Sequence, residues 1–416
     1  MKIAVVGAGI IGMNTAYYLA RDGHTVTVYD RCNAPAQEAS FAHGGILCPS
    51  WSAPWSKPAS LAELVRHLSK KSQLQFVHGY NSIFWNWLGK WLKSLSHKQY
   101  PAAQAQLYRL SRYSLDCLDD IIRQHHIELD QRRGCLQLYR KESDLDLAQA
   151  DLIGRLGENG GSRLDRNASY KLVPTLSEDM DMVGGIWQAD AISGNGALLA
   201  KTLKQICDDM DVRFQLGQTV SVRLKERRGQ LMLGKTPQDH EAIVIAAGMG
   251  SLDLLRRLKI RIPLLALRGY SATLPLRHPE LLPAHALLDT ANGVNLTPLG
   301  NHLQARLRVS AMTQLVLPDH QPSQAESQAA FDKLTTIAHE WHPYPVDYNR
   351  AAYWTGLCPV TPHGLPVVGA TARANVFLNI GHGQLGWSLA AGCGKMLADT
   401  IAQRKTMIDP AGLILA

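Results

Sequence analysis

Three glycines near the start of the chain are the first residues whose types and spacing suggest chemistry. Gly7, Gly9 and Gly12 form a G-x-G-x-x-G turn. In such a turn the first glycine permits a sharp bend, the second lets the backbone approach a pyrophosphate, and the third lets a helix pack closely on a strand. Asp30 follows 18 residues after Gly12, close to the roughly 20 residues expected of a carboxylate that binds a ribose 2′-hydroxyl. The pattern predicts a dinucleotide site, and an acid at position 30 argues against NADP.

Two further turns of small residues are candidates for the same ligand. Residues 38–46 contain Ser40, His43, Gly44 and Gly45, and a backbone without bulky side chains can lie against a flat or charged group. A plain surface loop is the alternative for this stretch. The second turn reads GHGQLGW over residues 381–387 and holds four candidates, namely Gly381, His382, Gly383 and Gly386.

The periodicity of apolar residues predicts the elements that position these turns. A β-branched run before Gly7 predicts a buried strand, a helical period follows Gly12, and an alternating run ends at Asp30, which together make a βαβ unit. Two later buried strands end near Gly248 and Gly381, and in a doubly wound sheet such carboxyl ends face the ligand crevice. The predicted elements of this part are strands at 2–6, 24–29, 242–250 and 375–380 and helices at 13–21 and 388–403.

The middle of the chain predicts a second region that begins after a Pro- and Trp-rich link at 52–57. Residues 264–274 and 304–312 alternate as strands of an antiparallel sheet, with Arg306 and Arg308 on one face because they are two residues apart. An apolar stripe of helical period lies between these parts, and both a core helix and a helix in a membrane interface fit it. Its residues are Phe84, Trp87, Leu88, Trp91, Leu92 and Leu95.

The composition is that of an ordinary globular protein with room for two or three domains. The 416 residues are 46% hydrophobic and 19% charged, and the net charge of +8 is spread along the chain, so we expect no nucleic-acid partner. The first apolar stretch belongs to the strand and glycine turn, so it does not read as a signal peptide, and no apolar run reaches the roughly 18 residues of a membrane span. Seven cysteines without a CxxC spacing favour reduced thiols over disulfides or a metal site. A cytoplasmic location is expected, with the inner face of the membrane as an alternative.

With these motifs in hand, the chain resembles the D-amino-acid oxidase superfamily of FAD enzymes, and most of all bacterial D-amino-acid dehydrogenases. The likeness covers nearly the whole sequence. Its stretches are YYLARDGHTVTVYDR near the start, SAPW at 52–55, LRGYSAT at 267–273, RLRVSAM at 306–312, YWTGLCPVTPHGLPVVG at 353–369 and NIGHGQLGWSLAAGCGKMLAD at 379–399.

The resemblance implies an α/β fold class, with a Rossmann-like FAD-binding domain and an α+β substrate domain built on an antiparallel sheet. In such relatives a hydride passes from the substrate Cα to flavin N5, and water turns the resulting imine into a 2-oxo acid and ammonia. FAD is therefore the expected cofactor, a small amine the expected substrate and a quinone or another carrier the expected electron acceptor, while the oligomeric state stays open. The expected FAD-binding domain comprises residues 1–50, 190–262 and 355–416, and the expected substrate domain comprises residues 51–189 and 263–354.

The resemblance also assigns roles to single residues. His43 lies where some relatives attach their flavin covalently, and noncovalent FAD is the alternative. The residues expected to hold the ADP half of FAD are Gly7, Gly9, Gly12, Asp30 and Arg31. Those expected to border the isoalloxazine are His43, Gly44, Gly45, Gly381, Gly383 and Gly386, and Ser40 and Gly248 are also expected to bind the cofactor. The residues expected to act on the substrate are Tyr270, Arg268, Arg308 and His382.

One departure from the family pattern affects the substrate. Enzymes of this type carry an arginine in GLRPxTPDG that clamps the substrate carboxylate, and this chain has Cys358 there and His363 in place of the aspartate. Either Arg268, Arg306 or Arg308 replaces the clamp, or the substrate lacks a free α-carboxylate. Three functions follow: oxidation of a D-amino acid, oxidation of a secondary or cyclic amine such as D-proline, hydroxyproline or sarcosine, or a flavin-bound partner subunit without its own chemistry.

Overall fold

A computed structural model describes residues 1–55, 75–77, 81–96, 98–301, 303–343 and 346–415. The last two residues of the link predicted at 52–57 lie outside them. The helices are α1 (Ile10–Arg21), α2 (Ser82–Ser94), α3 (Gln99–His125), α4 (Glu142–Leu156), α5 (Arg166–Leu172), α6 (Gly196–Asp209), α7 (Ser251–Arg257), α8 (Gln324–Trp341) and α9 (Gly386–Ile401).

The strands form two main sheets and a small one. They are β1 (Lys2–Val6), β2 (Thr25–Asp30), β3 (Ile46–Leu47), β4 (Gln75–Val77), β5 (Arg132–Tyr139), β6 (Ser162–Asp165), β7 (Gly184–Ser193), β8 (Arg213–Leu216), β9 (Val220–Lys225), β10 (Arg228–Leu233), β11 (Thr236–Pro237), β12 (Ala242–Ile245), β13 (Leu265–Pro275), β14 (Ala286–Asp289), β15 (Val294–Leu299), β16 (Arg306–Val316), β17 (Ala352–Val360), β18 (Val367–Ala370) and β19 (Val376–Ile380).

The first main sheet has the order β18-β19-β12-β1-β2-β8 and is parallel except for β18. Its central strand β1 pairs with β12 on one side and β2 on the other. Helices cover one face of this sheet, and the small sheet β9–β11 with helix α7 covers the other. Strands β1 and β12 are therefore apolar on both faces, as buried parallel strands must be. The Rossmann-like part of the predicted fold is thereby confirmed.

The second main sheet has the order β17-β13-β16-β15-β14-β5-β7-β3, with β4 and β6 joined to it off this path. Strand β13 pairs in antiparallel register with β16, which agrees with the antiparallel strands predicted at 264–274 and 304–312, and also with β17, which was not predicted. Helix α8 covers one face of β13 and β16 and packs Phe331 and Trp341 into the apolar cluster there. Strands β7 and β17 run across the predicted domain boundaries at 190 and 355, so we propose that the boundaries lie after these strands.

Helix α2 buries most of its predicted apolar stripe. Asn81 caps its first turn by accepting a hydrogen bond from the Phe84 N–H at 3.0 Å. Trp87 and Trp91 are fully buried against the second sheet, whereas Leu92, which the sequence placed in the stripe, is 44% exposed. Most of the stripe therefore belongs to the core and is not available to a membrane. Contact with a membrane surface stays a prediction that the stripe no longer supports. No helix in the described ranges combines the length and hydropathy needed to cross a bilayer.

Helix α9 is buried along almost its whole length and carries the last glycine turn into the core. It lies against α1 and α3, and glycines form the contacts. A Cβ on Gly392 would stand 2.9 Å from the Ser114 Cβ, and a Cβ on Gly394 would stand 2.9 Å from the Asn14 carbonyl carbon. These approaches are closer than side chains allow, so the backbone of α9 is fixed by direct contact with its neighbours.

Candidate active site

A cavity of about 1140 Å³ lies between the two main sheets. Its floor is formed by the carboxyl ends of β1, β2, β12 and β19, the edge at which parallel α/β sheets bind ligands. Strands β13, β16 and β17 supply the opposite wall. The glycine turns singled out in the sequence therefore open into one continuous space.

The first glycine turn is required by close backbone packing. Gly7 has φ 113°, and a Cβ there would lie 2.4 Å from the Ala246 carbonyl oxygen. A Cβ on Gly12 would lie 1.8 Å from the Gly7 carbonyl oxygen. Gly9 lies directly before α1, so the first helical turn, whose N–H groups have no partner within the helix, borders the cavity. An anion placed there would meet both these donors and the positive end of the helix dipole.

The residues expected at the ADP half surround this turn. The Asp30 carboxylate ends β2 and accepts hydrogen bonds from the Ala8 N–H at 2.6 Å and the Cys32 N–H at 2.7 Å. These bonds fix the carboxylate at the cavity edge. Arg31 lines the cavity and forms an ion pair with Glu38, although both side chains are about half exposed. The Ser40 hydroxyl accepts a hydrogen bond from the Ile10 N–H at 3.0 Å, so it lies on the first turn of α1.

The loop at His43 and Gly44 lies against the second sheet. A Cβ on Gly44 would meet the Asn295 amide nitrogen at 2.8 Å and the Ser310 hydroxyl at 3.0 Å. The His43 Nδ1 accepts a hydrogen bond from the Gly45 N–H at 3.0 Å, and its Nε2 faces Gly196, where a Cβ would stand only 2.2 Å away. Both ring nitrogens therefore face protein, which disfavours a covalent bond from this ring to a flavin. Burial, with a smaller effect from the Arg308 charge, lowers the pKa of His43 to about 3, so the imidazole is neutral.

The third glycine turn leads from β19 into α9. Gly381 and Gly383 have φ of 81° and 55°, conformations that favour glycine. Between them, His382 is 5% exposed, lines the cavity and is neutral, because burial lowers its pKa to about 3. Its Nε2 has no hydrogen-bond partner among the described residues. A Cβ on Gly386 would touch only the His382 Cβ, at 4.0 Å, so the cavity is open at the start of α9.

Arg268 and Tyr270 line the cavity, and each side chain has a hydrogen-bond partner within the protein. The unbroken register of β13 with β17 places them on the same face of the sheet, opposite to Gly269. The Arg268 guanidinium donates to the His320 carbonyl oxygen, and the Tyr270 hydroxyl donates to the Gln314 amide oxygen at 3.3 Å. The Tyr270 ring also packs edge to face on Phe331 of α8.

Arg308 and Arg306 are not among the residues that line the cavity. Arg308 is 7% exposed, lies behind the His43 loop, and donates to the Thr273 hydroxyl at 3.0 Å. Burial and repulsion from Arg306 lower its pKa to about 10, so it remains charged at neutral pH. Arg306 pairs with Asp130 at 3.4 Å. Neither Arg306 nor Arg308 therefore lies where it could bind a substrate carboxylate in the cavity, as the sequence analysis had considered.

The wall around Cys358 is made of sulfur and aromatic groups, and two of them, Met312 and Trp354, were not singled out from the sequence. Cys358 is 7% exposed, and burial raises the pKa of its thiol to about 12. Met312 lies over Gly269 and Trp354 lies over Gly356, so these side chains fill the space that the glycines leave. The signal was present in the alternation of β16 and β17, because Trp354, Gly356 and Cys358 share one face. His363 instead accepts a hydrogen bond from the Leu365 N–H within the next turn.

The described residues fit FAD. A Cβ on Gly248 would meet nothing within 4 Å, and the starts of α1 and α9 both present helix N-termini to the same space. One end of the cavity offers glycines and a carboxylate for a nucleotide, and the other offers glycines beside a sheet for a flat ring. The site is large enough to exceed the usual range of small-ligand pockets, as a dinucleotide requires.

Comparison with solved structures gives the same fold. A glycine oxidase from Geobacillus kaustophilus matches with a TM-score of 0.74 and 19% identity over 100% of this chain and 98% of that one. An iminodiacetate oxidase from Chelativorans sp. BNC1 matches with a TM-score of 0.73 and 19% identity over 99% and 98%. An L-proline dehydrogenase from P. horikoshii matches with a TM-score of 0.71 and 13% identity over 100% and 96%.

A family model matches the sequence and identifies the family, whereas the structural matches at this identity show only the fold. The model described as FAD dependent oxidoreductase, DAO, matches residues 2–400 of this chain. That match extends from the first strand to the end of α9 and includes every segment that lines the cavity. The chain therefore belongs to the DAO family of FAD-dependent oxidoreductases, and FAD is its cofactor.

Proposed function

We propose that this protein is an FAD-dependent dehydrogenase that oxidises the C–N bond of a small amine or amino acid. The observation that supports this most is the continuous cavity, which joins the nucleotide turn at Gly7–Gly12 to the sheet wall at β13 and β17. A flavin lying along it would have its ring between α9 and that wall. The names of three similar structures, glycine oxidase, iminodiacetate oxidase and L-proline dehydrogenase, also point to amines and amino acids.

When bound, FAD supplies the two-electron acceptor. The protein then has to bind the amine in its neutral form, exclude water and orient the C–H bond towards the acceptor, which needs no strong base. The start of α9 would place its positive dipole end near the ring and stabilise the negative charge that reduction adds. His382 lines the cavity beside this helix start with a neutral ring, so the stabilisation proposed here comes from the helix end and not from a charge on the imidazole.

The cofactor contacts are also proposed residue by residue. The turn at Gly7, Gly9 and Gly12 would hold the pyrophosphate, and the Asp30 carboxylate would accept from the ribose hydroxyls. The residues proposed to lie beside the flavin and its ribityl chain are Ser40, His43, Gly44, Gly45, Gly248, Gly381, Gly383 and Gly386, all of which line the cavity. Because both nitrogens of His43 face protein, we propose noncovalent FAD, which acid precipitation would release into a yellow supernatant.

The substrate and the acceptor can be tested together. Purified protein with bound FAD is mixed without oxygen with D-amino acids, secondary amines, primary amines and 2-hydroxy acids while the oxidised-flavin absorbance is followed. Bleaching by an amine class supports the proposal, and bleaching by 2-hydroxy acids alone contradicts it. No bleaching, with FAD retained, favours a partner subunit without its own chemistry. Faster reoxidation of the bleached protein by a quinone than by air would support a dehydrogenase over an oxidase.

A further inference from the structure

We propose that the part of the cavity around Cys358 binds an uncharged apolar group of the substrate, so that the preferred amine carries no carboxylate on its reacting carbon. This inference rests on the proposed amine oxidation and narrows its substrate class. It differs from the D-amino acid that the overall resemblance suggests. The argument starts from which groups form this part of the wall.

Cys358 is one member of an apolar cluster that borders the cavity. Its thiol packs with Leu267 on β13 and Trp87 on α2. The register of β17 with β13 pairs Cys358 with Leu267 directly, so the two side chains stand together on the cavity face of the sheet. A neutral thiol beside a leucine offers an anion no hydrogen-bond donor of useful strength.

The rest of this wall has the same chemistry. The Met312 sulfur lies 2.8 Å from the place where a Cβ on Gly269 would be, and the Trp354 ring lies 2.0 Å from the place where a Cβ on Gly356 would be. Across from them, the Trp55 ring stacks on Trp91 at a centroid distance of 5.5 Å and packs on Trp87 at 5.4 Å. Thioether and indole groups of this kind favour flat or apolar ligands.

The guanidinium groups nearby have other roles. Arg268 lines the cavity from the face of β13 opposite to Cys358, and its guanidinium donates to the His320 carbonyl oxygen. Arg306 pairs with Asp130, and Arg308 is held behind the His43 loop by Thr273. Of these three, Arg268 alone lines the cavity, and it lies on the face of β13 opposite to Cys358. A carboxylate at Cys358 would therefore give up its hydration beside a thiol and a leucine. Each missing charge-assisted hydrogen bond weakens binding by roughly ten- to a hundredfold.

The reaction balances with such a substrate. The C–H bond on the carbon that bears the amine breaks, and its electron pair and proton leave as a hydride that reduces FAD. The nitrogen lone pair forms the C=N bond, and the N–H proton is lost to water. Water then hydrolyses the imine to a carbonyl compound and an amine or ammonia. The carboxylate takes no part in these steps, so its absence does not prevent the chemistry.

The experiment compares matched aromatic substrates on the FAD-loaded protein. D-phenylalanine, its amide and 2-phenylethylamine are mixed anaerobically with the wild type, Cys358→Arg and Cys358→Ser, and the flavin bleaching rate is divided by substrate concentration. We expect the wild type to favour the two substrates that lack a carboxylate by at least about tenfold. Cys358→Arg should reverse this order, and Cys358→Ser, which keeps the size and neutrality of the side chain, should not. A wild type that prefers D-phenylalanine, or a Cys358→Arg variant with an unchanged order, overturns the inference.

A binding measurement separates this inference from the proposed function. Benzoate and benzamide are titrated into the wild type while the shift of the bound-flavin spectrum is recorded. This measurement needs no turnover, and it does not depend on whether a variant folds. Tighter binding of benzamide supports the apolar subsite even if no amine bleaches the flavin, in which case only the proposed function fails. Tighter binding of benzoate together with bleaching by amines overturns the subsite and leaves the proposed function in place.

Discussion

Gly12 is a residue at which a single added methyl group should lower both stability and FAD binding. In Gly12→Ala the new Cβ would stand 1.8 Å from the Gly7 carbonyl oxygen, so α1 must move away from the turn. We expect a loss of about 1–3 kcal/mol in the free energy of unfolding and a preparation without yellow colour. Urea unfolding and FAD content measure both effects.

The matched control is Gly89→Ala on the exposed side of α2. A Cβ there would meet nothing within 4 Å, and alanine is favoured over glycine inside a helix by about 1 kcal/mol. This variant should therefore be as stable as the wild type or more so, and keep its FAD. Equal behaviour of the two variants would contradict the close approach at Gly12.

His382 makes stability depend on pH. Its pKa is lowered from 6.5 in the unfolded chain to about 3 in the folded one. Between these values the unfolded chain takes up a proton that the folded chain does not, so the free energy of unfolding should fall as the pH decreases below 6.5. The slope from this group is at most about 1.4 kcal/mol per pH unit.

The test compares chemical unfolding of the wild type and His382→Gln at several values between pH 5 and pH 7.5. The variant should lose less stability on acidification than the wild type. His339→Gln, on the exposed surface of α8, is the control. An identical pH dependence for the wild type and His382→Gln would show that the ring is not held neutral.

Among single residues, the glycines were the most predictable. Gly7 and Gly12 sit at fixed intervals in a local βαβ unit, so their contacts follow from neighbours in sequence. The arginines were not predictable, because Arg268 and Arg308 point to opposite faces of one sheet and only the pairing of distant strands decides which face meets the cavity. Spacing showed that Arg306 and Arg308 share a face, but not that a loop would cover it.

Helix α2 carries tryptophans on both its buried face and its exposed face. Trp87 is fully buried and donates to the Val360 carbonyl oxygen at 3.2 Å, whereas Trp85, two residues earlier, is 54% exposed. We expect Trp87→Ala to cost about 3–5 kcal/mol and to weaken the wall at Cys358. Trp85→Ala is the matched control and should change stability by less than about 0.5 kcal/mol. Thermal unfolding would measure the stability of both variants, and the benzamide titration would measure binding at the wall. Similar losses of stability in the two variants would mean that the buried and exposed faces of α2 are assigned wrongly.

At the level of elements, most of the described helices and strands were predictable and their ends less so. Helix α1 begins at Ile10, three residues before the predicted start, because Gly9 takes the N-cap position and the apolar period begins only after the glycines. Leu92 fits the helical period but is 44% exposed, so the buried stripe of α2 is narrower than the sequence predicted. Periodicity gives the face of a helix and not the width that its partner covers.

FAD connects parts of the molecule that the sequence keeps far apart. The cavity is lined from the first sheet at Gly9, from the second at Cys358 and from the start of α9 at Gly386. A ligand that binds only the folded state raises the free energy of unfolding by about 2.7 kcal/mol at a concentration of 100 Kd. Removing FAD should therefore lower the Tm, and adding FAD back should restore it in proportion to the logarithm of its concentration. The Gly12→Ala protein should show no such recovery, and a wild-type Tm unaffected by FAD would contradict the arrangement.

The order of strands in the first sheet also has a consequence during synthesis. Strand β1 is central in the finished sheet, between β2 and β12, but β12 leaves the ribosome about 240 residues later, which at ordinary translation rates means roughly 10 to 50 s. During that time the edge of β1 that later pairs with β12 has no neighbouring strand. An unpaired, apolar strand edge readily pairs with another chain. Chaperone supply and translation speed should therefore influence how much of this protein a cell recovers in native form.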